Sequence, residues 1–581
     1  MFGRITEIID NYVYVENSAH ELRSNILNIH VIFEETNRKV VGEVLSVNKD
    51  IIKIFLVGEI RYNMFYPGIM RKPSFQCIPR IVYKQELELL LGKQDVFDKS
   101  YVYLGKSVTY EKFNINMNLN DFFSNHFAIL GNSGSGKSCG VARILQNIFQ
   151  DNKAGIPKNA HIVLFDVYGE YNDAFKNAND IPNLGYKSYN MDENYNTINV
   201  PAYFLDIDDL ALLLSVKSAS QLPILEKTLK LVYIFNSLDT NVQEYKTDII
   251  AQSLLDILSS GRNPTQIRDQ IIAILTRYNT RDLNLDTPIV QPGYTRTFKQ
   301  CMNIDSSGKM TALDLIINYL QQYKQLDLSN ITVNHNIKYG LEDIYYALDF
   351  ALISEGALKS EKIYDEYNVL KVRLQQILNS ENRRFFDEGT ERITKKEFVE
   401  RLFNADKNYQ IINFNLNNVE ERFVKVLTKI YTRIFFNYVT SLKERASFPI
   451  HVILEEAHRY VQNDTDIEVL GYNIFDRIAK EGRKYGLLLG FITQRPSELS
   501  TTALSQCSNF ISFKIFHPSD INIISNISSN VSEETIEKIK NLLPGTAIVF
   551  GTSFKVPLLV KLDLPDPMPK STSVDIVNKW Y

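Results

Sequence analysis

The run Gly131-Asn132-Ser133-Gly134-Ser135-Gly136-Lys137-Ser138 fits the spacing G-x-x-x-x-G-K-[ST] throughout. Glycines at those positions let backbone N–H groups turn inward around an anion. Lys137 brings a positive charge to the β- and γ-phosphates of a nucleoside triphosphate, and the Ser138 hydroxyl is placed to bind Mg²⁺. Residues 131–138, with the following Cys139, are therefore the expected nucleotide-binding set. No Asn-Lys-x-Asp guanine-reading segment stands near a strand end, so ATP is the expected nucleotide.

Hydrolysis needs more than a phosphate cradle, and three further segments carry suitable groups. Ile450-His451-Val452-Ile453-Leu454-Glu455-Glu456 is an apolar strand running into two carboxylates. Glu455 is expected to hold the Mg²⁺ shell, although Asp is the commoner residue there. Glu456 is expected to face the attacking water as general base. Thr493-Gln494-Arg495-Pro496 ends another apolar run, where the Gln494 amide can orient water or sense the γ-phosphate. Asp476 to Gly486 reads as a helix with Lys480, Arg483 and Lys484 on one face. That face is either solvated or carries an arginine finger for a neighbouring subunit, with Arg483 ranked ahead of Arg477. Asp166-Val167-Tyr168-Gly169-Glu170-Tyr171 follows a further strand; a polar group there can face the nucleotide, and turn chemistry explains the segment equally well.

The elements that must position these groups follow from hydrophobic period and punctuation. His126-Phe127-Ala128-Ile129-Leu130 is a short buried strand entering the glycine-rich loop, and a helix with Val141, Leu145 and Ile148 on one face follows it. Ile162 to Phe165, Gln410 to Phe414, His451 to Leu454, Leu487 to Ile492, Phe510 to Phe516 and Thr546 to Phe550 are further strand-like runs. Alternation of strands and helices predicts an α/β core with a parallel sheet over residues 101–205 and 406–562. Residues 1–100 carry short Ile-, Val- and Tyr-rich strands, a pattern expected of a small β-barrel used for assembly or docking. Residues 206–405 have helical spacing and form a helix-rich insertion, with loops expected near 280–310 and 378–392. Residues 563–581 begin in a proline-punctuated, extended tail.

Composition limits the alternatives. A net charge of −4 over 581 residues gives no global basic field, so a polyanion site must be local or assembled from several subunits. The four cysteines are scattered and form no metal-ligand pair. The N-terminal residues lack a signal-peptide pattern, and no apolar run approaches the roughly 18 residues of a membrane span. A cytoplasmic protein without membrane contact is expected.

Together these segments resemble the HerA-type DNA translocases of the HerA/FtsK branch of P-loop ATPases. The likeness is carried by residues 126–138, by Asp166 to Tyr171, by Leu454-Glu455-Glu456-Ala457-His458, and by the run from Arg477 to Leu499. Gly68-Ile69-Met70-Arg71-Lys72-Pro73 looks like part of that family's barrel, and Pro565-Asp566-Pro567 like its brace across a neighbour. The resemblance implies a RecA-like core, a homohexameric ring with ATP and Mg²⁺ between subunits, and double-stranded DNA in the pore. It also implies a partner effector on the barrel face, a nuclease or a sirtuin-like NAD hydrolase, as in bacterial anti-phage defence.

Two functions then compete. One is a motor that couples ATP hydrolysis to movement along DNA; the other is an ATP-dependent hexameric scaffold that assembles and regulates the effector. A metabolic kinase or small GTPase has no use for the large insertion, the paired glutamates and the N-terminal strands.

Overall fold

The computed structural model describes residues 2–18, 26–92, 98–111, 113–150, 157–176, 181, 184–190, 197–324, 337–356, 361–387, 391–462, 466–527, 531–570 and 576–580. The chain divides into two compact units. One comprises Met1–Thr197, Lys395–Asp464 and Tyr472–Tyr581; the other comprises Ile198–Thr394 with Thr465–Gly471.

In the first unit the N-terminal strands form a curled, barrel-like antiparallel sheet. Its pairing order is Phe2–Ile9, Tyr12–Asn17, Ile51–Arg61, Arg38–Val47, His30–Glu35 and Arg80–Ile81, with Met64–Pro67 added on Ile51–Arg61. Register shifts between Arg38–Val47 and Ile51–Arg61 bend the long pair. Alternating side chains close over a core of Val13, Val15, Val31, Phe33, Val40, Val44, Ile52 and Ile54. Ion pairs tie this sheet to the rest of the unit, Lys53 Nζ to Glu534 Oε1 at 2.5 Å and Lys538 Nζ to Glu43 Oε1 at 3.4 Å.

The core of the same unit is an 11-stranded sheet. Seven neighbouring strands run parallel in the order Tyr186–Tyr189, Ile411–Asn415, Ile162–Asp166, Ile450–Leu454, Leu487–Thr493, His126–Leu130 and Cys507–Ser512. Antiparallel strands Thr546–Gly551, Phe554–Lys561, Tyr101–Ser107 and Asn114–Asn118 extend it. The strand before the glycine-rich loop has every residue buried, as does the strand ending in Asp166, which is why both read as continuous apolar runs. One strand lies between the phosphate-loop strand and the glutamate strand, the RecA-like order. Parallel strands bring Leu130, Asp166, Leu454 and Thr493 to one edge of the sheet, the usual place for a ligand in such folds. The run expected as a strand to Phe516 begins at Cys507 and ends at Ser512, and Phe513 beyond it packs close to Gly131 and Gly140.

From Pro565 the tail lies along its own core. Gln146 Nε2 donates to Pro567 O at 2.8 Å, Asp566 N donates to Gln146 Oε1 at 2.9 Å, and Lys570 N donates to Glu170 O at 2.7 Å. Tail residues 571–575 and 581 lie outside the described residues.

The second unit is mostly helical, with long helices at Leu222–Asn236, Thr240–Leu258, Pro264–Arg277, Leu341–Gly356 and Glu361–Leu378. Asp239 and Asn263 cap two of them, and Pro264 stands at a first helical position where its missing N–H costs nothing. Two stretches expected as loops are partly ordered: Pro288–Gln291 pairs with Tyr294–Thr297 as a hairpin, and Glu381–Phe386 is a 3₁₀ helix. Residues 388–390 lie outside the described residues. Among the described residues no helix is long and apolar enough to cross a membrane.

Candidate active site

The glycine-rich loop is shaped by its backbone. Gly134 and Gly136 have φ of +72° and +93°, in the left-handed region, and Gly136 caps the helix Lys137–Phe149. A Cβ on Gly136 would stand 2.7 Å from Gly545 N. The loop is pinned from outside: Gly131 N donates to Thr493 O at 3.2 Å, Asn132 N to Lys514 O at 2.9 Å, and Gly545 N to Ser135 O at 3.0 Å. Asn132 Oδ1 and Ser135 Oγ are buried and have no hydrogen-bond partner. A helix N-terminus without an acid in its first turn, with the unpartnered Ser135 hydroxyl and buried Lys137 beside it, fits a polyphosphate.

Lys137, Glu456 and Gln494 come together although the chain separates them widely. Lys137 Nζ lies 3.4 Å from Glu456 Oε1, and Gln494 Nε2 donates to the same oxygen. Glu456 adopts φ of +46°, and the short 3₁₀ turn Ala457–Arg459 folds His458 back until Nδ1 is 3.3 Å from Glu456 Oε2. Burial alone would raise the Glu456 carboxyl. The His458 imidazole beside it, the charge of Lys137 and the Gln494 amide outweigh it and bring the carboxyl to about 2. Burial pushes the Lys137 ammonium down, against the pull of Glu456, Glu455 and Glu170.

Glu455 sits behind this group, fully enclosed. Its Oε2 accepts from Val167 N at 3.0 Å, and its other partner is the Asp166 carboxyl. Burial, then the charge of Asp166, holds the Glu455 carboxyl well above the usual range. Asp166 is also raised by burial, but it accepts from Tyr171 N and Glu170 N, each at 3.0 Å, and from Asn413 Nδ2 at 3.2 Å. The shared proton therefore belongs on Glu455. A carboxyl with a raised folded pKa contributes stability below its unfolded value and loses it as pH rises through the folded value. Glu455→Gln keeps an acceptor for Val167 N and a permanent donor for Asp166. It should raise the stability of the protein at neutral pH. Urea midpoints at pH 5 and pH 8 would check this, with the gain confined to the higher pH.

The carboxylate beside Ser138 is that of Glu170. Burial raises it and hydrogen bonding with Ser138 opposes the rise, while its Oε2 is buried without a partner. Among the described residues no group of three His, Cys, Asp or Glu side chains surrounds a cation position. A divalent ion fits beside Ser138 when phosphate oxygens complete its shell, the usual mode for Mg²⁺. Cys139 follows on the helix, half-buried, its thiol pushed up by burial and then by Glu170.

Arg483 is not brought to the site of its own chain. It is exposed in the last turn of the helix Ile474–Tyr485, which precedes the strand Leu487–Thr493. Its charge acts instead on His126, the first residue of the phosphate-loop strand. The strand from Leu487 to Thr493 has 7 residues, so Arg483 and the Gln494 end are roughly 20 Å apart along the sheet. Arg477 pairs with Glu481 at 3.6 Å on the same helix.

No motif in the sequence marks His458 for a role, and the segment holding Glu170 is equally consistent with simple turn chemistry. The signal for His458 was its place two residues after Glu456; only the left-handed conformation at Glu456 turns that spacing into contact.

The sequence profile of the central domain of helicase HerA matches residues 102–434. A probable helicase of Methanocaldococcus jannaschii is 24% identical over 532 residues, 91% of this chain and 79% of that protein. The DNA double-strand break repair helicase HerA of Pyrococcus furiosus is 23% identical over 546 residues, 93% of this chain and 82% of that protein. HerA of Sulfolobus acidocaldarius is 30% identical over a shorter stretch of 231 residues, 36% of this chain and 45% of that protein. The profile spans the phosphate loop and the Asp166 turn, the long alignments take in most of the chain, and the geometry supplies a phosphate cradle with an ionised carboxylate beside it: the chain belongs to the HerA helicase family of P-loop ATPases.

Proposed function

We propose that this protein is a cytoplasmic, ATP-hydrolysing motor in which six copies form a ring around double-stranded DNA. The observation that carries the reading is the convergence of Lys137 and Gln494 on Glu456 beside the glycine-rich loop. In that arrangement Glu456 is the general base, Gln494 orients the attacking water, and residues 131–139 bind ATP, with Lys137 on the β- and γ-phosphates. Ser138 would hold Mg²⁺, with Glu455 in the surrounding shell and Glu170 adding negative charge, and the ion would supply positive charge against that developing on the phosphates.

The protein's own groups explain how binding precedes chemistry. Lys137 and Gln494 both contact Glu456, whose carboxyl at about 2 is a poor base. A γ-phosphate competes for the Lys137 charge, and loss of that charge raises the basicity of Glu456 when a water is in place. Arg483 of a neighbouring copy completes the site in trans, ahead of Arg477; distance from its own nucleotide is what such a role requires.

The relatives named as helicases support DNA as the track. The test is ATP turnover by the purified protein with and without double-stranded DNA at two salt concentrations. Stimulation by DNA that weakens steeply with salt is expected of phosphate-backbone contacts. Turnover indifferent to DNA would sink the motor and leave the scaffold.

The N-terminal sheet is the proposed docking face for a partner effector, a nuclease or a sirtuin-like NAD hydrolase acting in anti-phage defence. Supporting this, Tyr62 is 93% exposed, Met70 92%, and Phe75 and Ile78 are also exposed on this part of the chain. Tyr62→Asp with Met70→Asp should abolish co-purification with a co-expressed nuclease or sirtuin-like NAD hydrolase that the parent protein retains, while leaving ATP turnover within about twofold, since hot spots of such faces are aromatic anchors. Retained co-purification would place the partner elsewhere.

A further inference from the structure

His458 stands where two parts of the site meet. Its Nδ1 is hydrogen-bonded to Thr493 Oγ1 at 3.0 Å and lies 3.3 Å from Glu456 Oε2, a buried oxygen that has no hydrogen-bond partner of its own. Thr493 is the last residue of its strand, and it is fully buried. Its Oγ1 accepts from Arg495 N at 3.0 Å, and its carbonyl accepts from Gly131 N, the first N–H of the phosphate loop, at 3.2 Å. One side chain thus bridges the carboxylate to a residue that also fixes the loop and the turn carrying Gln494.

The protonation pattern follows from the neighbours. With a proton on Nδ1, the imidazole donates toward Thr493 Oγ1 and presents the same N–H to Glu456. Without it, a ring lone pair would face an ionised carboxylate, which is repulsive. The left-handed backbone at Glu456 offers a second reason for a fixed partner. A non-glycine residue at φ of +46° is held in a sparsely populated conformation, so its side chain needs outside contacts to keep one direction. Lys137 and Gln494 both hold Oε1, and in the proposed cycle both turn toward the nucleotide. His458 is the contact on Oε2 and has no reason to leave.

We propose that His458 is a positioning residue, donating from Nδ1 to keep the Glu456 carboxylate aimed at the attacking water and registered to the Thr493 strand end while Lys137 and Gln494 turn to the nucleotide. This rests on the reading of Glu456 as general base. His458 touches neither nucleotide nor water in that scheme; it acts through Glu456.

The test compares His458→Ala, His458→Asn, His458→Gln and Glu456→Gln in the full-length protein, with steady-state ATP turnover, ATP affinity and thermal unfolding measured for each. An Asn amide nitrogen sits near the position of Nδ1, whereas a Gln amide reaches one methylene further. His458→Ala should lower kcat about tenfold or more, a part of what a general base supplies, with KM for ATP within about twofold. Asn should restore most of the loss and Gln should not. In the Glu456→Gln background, His458→Ala should cost nothing further. Full turnover by His458→Ala, an Asn variant as poor as Ala, or a loss confined to KM would each overturn the proposal. If His458→Ala unfolds, Thr493→Val takes its place, since it removes the other anchor of Nδ1; unchanged kcat there would also overturn it. Active Glu456→Gln would instead remove the base assignment itself, a result distinct from any His458 outcome.

Discussion

Glu456→Gln should bind ATP about as tightly as the parent protein and turn it over roughly 10²- to 10⁴-fold more slowly. The amide keeps the volume of the carboxylate and its contact with Gln494, which can reverse its own amide, so the phosphate loop has no reason to move. What is lost is a proton acceptor. The carboxyl stands at about 2 because His458, Lys137 and Gln494 overcome the effect of burial. Such a folded-state depression contributes stability that is present above the unfolded carboxyl value and is lost as pH falls toward 2. Glu456→Gln should therefore flatten the acid limb of the stability curve as well as stop turnover. Single-turnover phosphate release and equilibrium binding of ATP, measured on the same preparation, check the first claim; urea midpoints between pH 3 and pH 6 check the second. Slow turnover caused by weak ATP binding would contradict the assignment.

Lys137→Ala should reduce turnover below about 1% by removing the charge aimed at the β- and γ-phosphates. It should also weaken the protein before any nucleotide arrives. Lys137 is 6% exposed and is the cation facing Glu456, with Glu455 and Glu170 acting on it from further away. Deleting one member of a buried pair leaves the other uncompensated, at a cost of about 3–5 kcal/mol, although a rise in the Glu456 carboxyl toward its ordinary value relieves part of this. The unfolding midpoint without nucleotide should fall, and it should fall less in Lys137→Ala combined with Glu456→Gln. If the proposed ring shares its sites between copies, mixing Lys137→Ala protein into the parent should depress activity more steeply than the mixing fraction. A linear decline would mean that each copy works alone.

Much of this site is written locally, and that part was legible. The phosphate loop needs glycine at left-handed positions, a lysine and a hydroxyl at set spacing, so eight consecutive residues, 131–138, carry the requirement. The strands around it read as apolar runs because a parallel sheet buries both faces, and the ends of those runs located Glu455, Glu456 and Gln494. What the sequence by itself determined is thus the chemistry available at each strand end. Tertiary structure decided which groups meet. Parallel register set the strands of Lys137, Glu456 and Gln494 at one edge, so that a contact spanning 319 residues is made by neighbours in space. It separated Glu455 from Glu456, turning one inward to Asp166 and the other outward to Lys137, through a left-handed residue that no side-chain pattern announces. It also sent Arg483 to the opposite end of the sheet, because a helix that leads into a strand finishes where that strand begins. Residue types and short spacings encode backbone conformation and reactivity; convergence across hundreds of residues depends on which strands pair, and that is settled only when the whole sheet is packed.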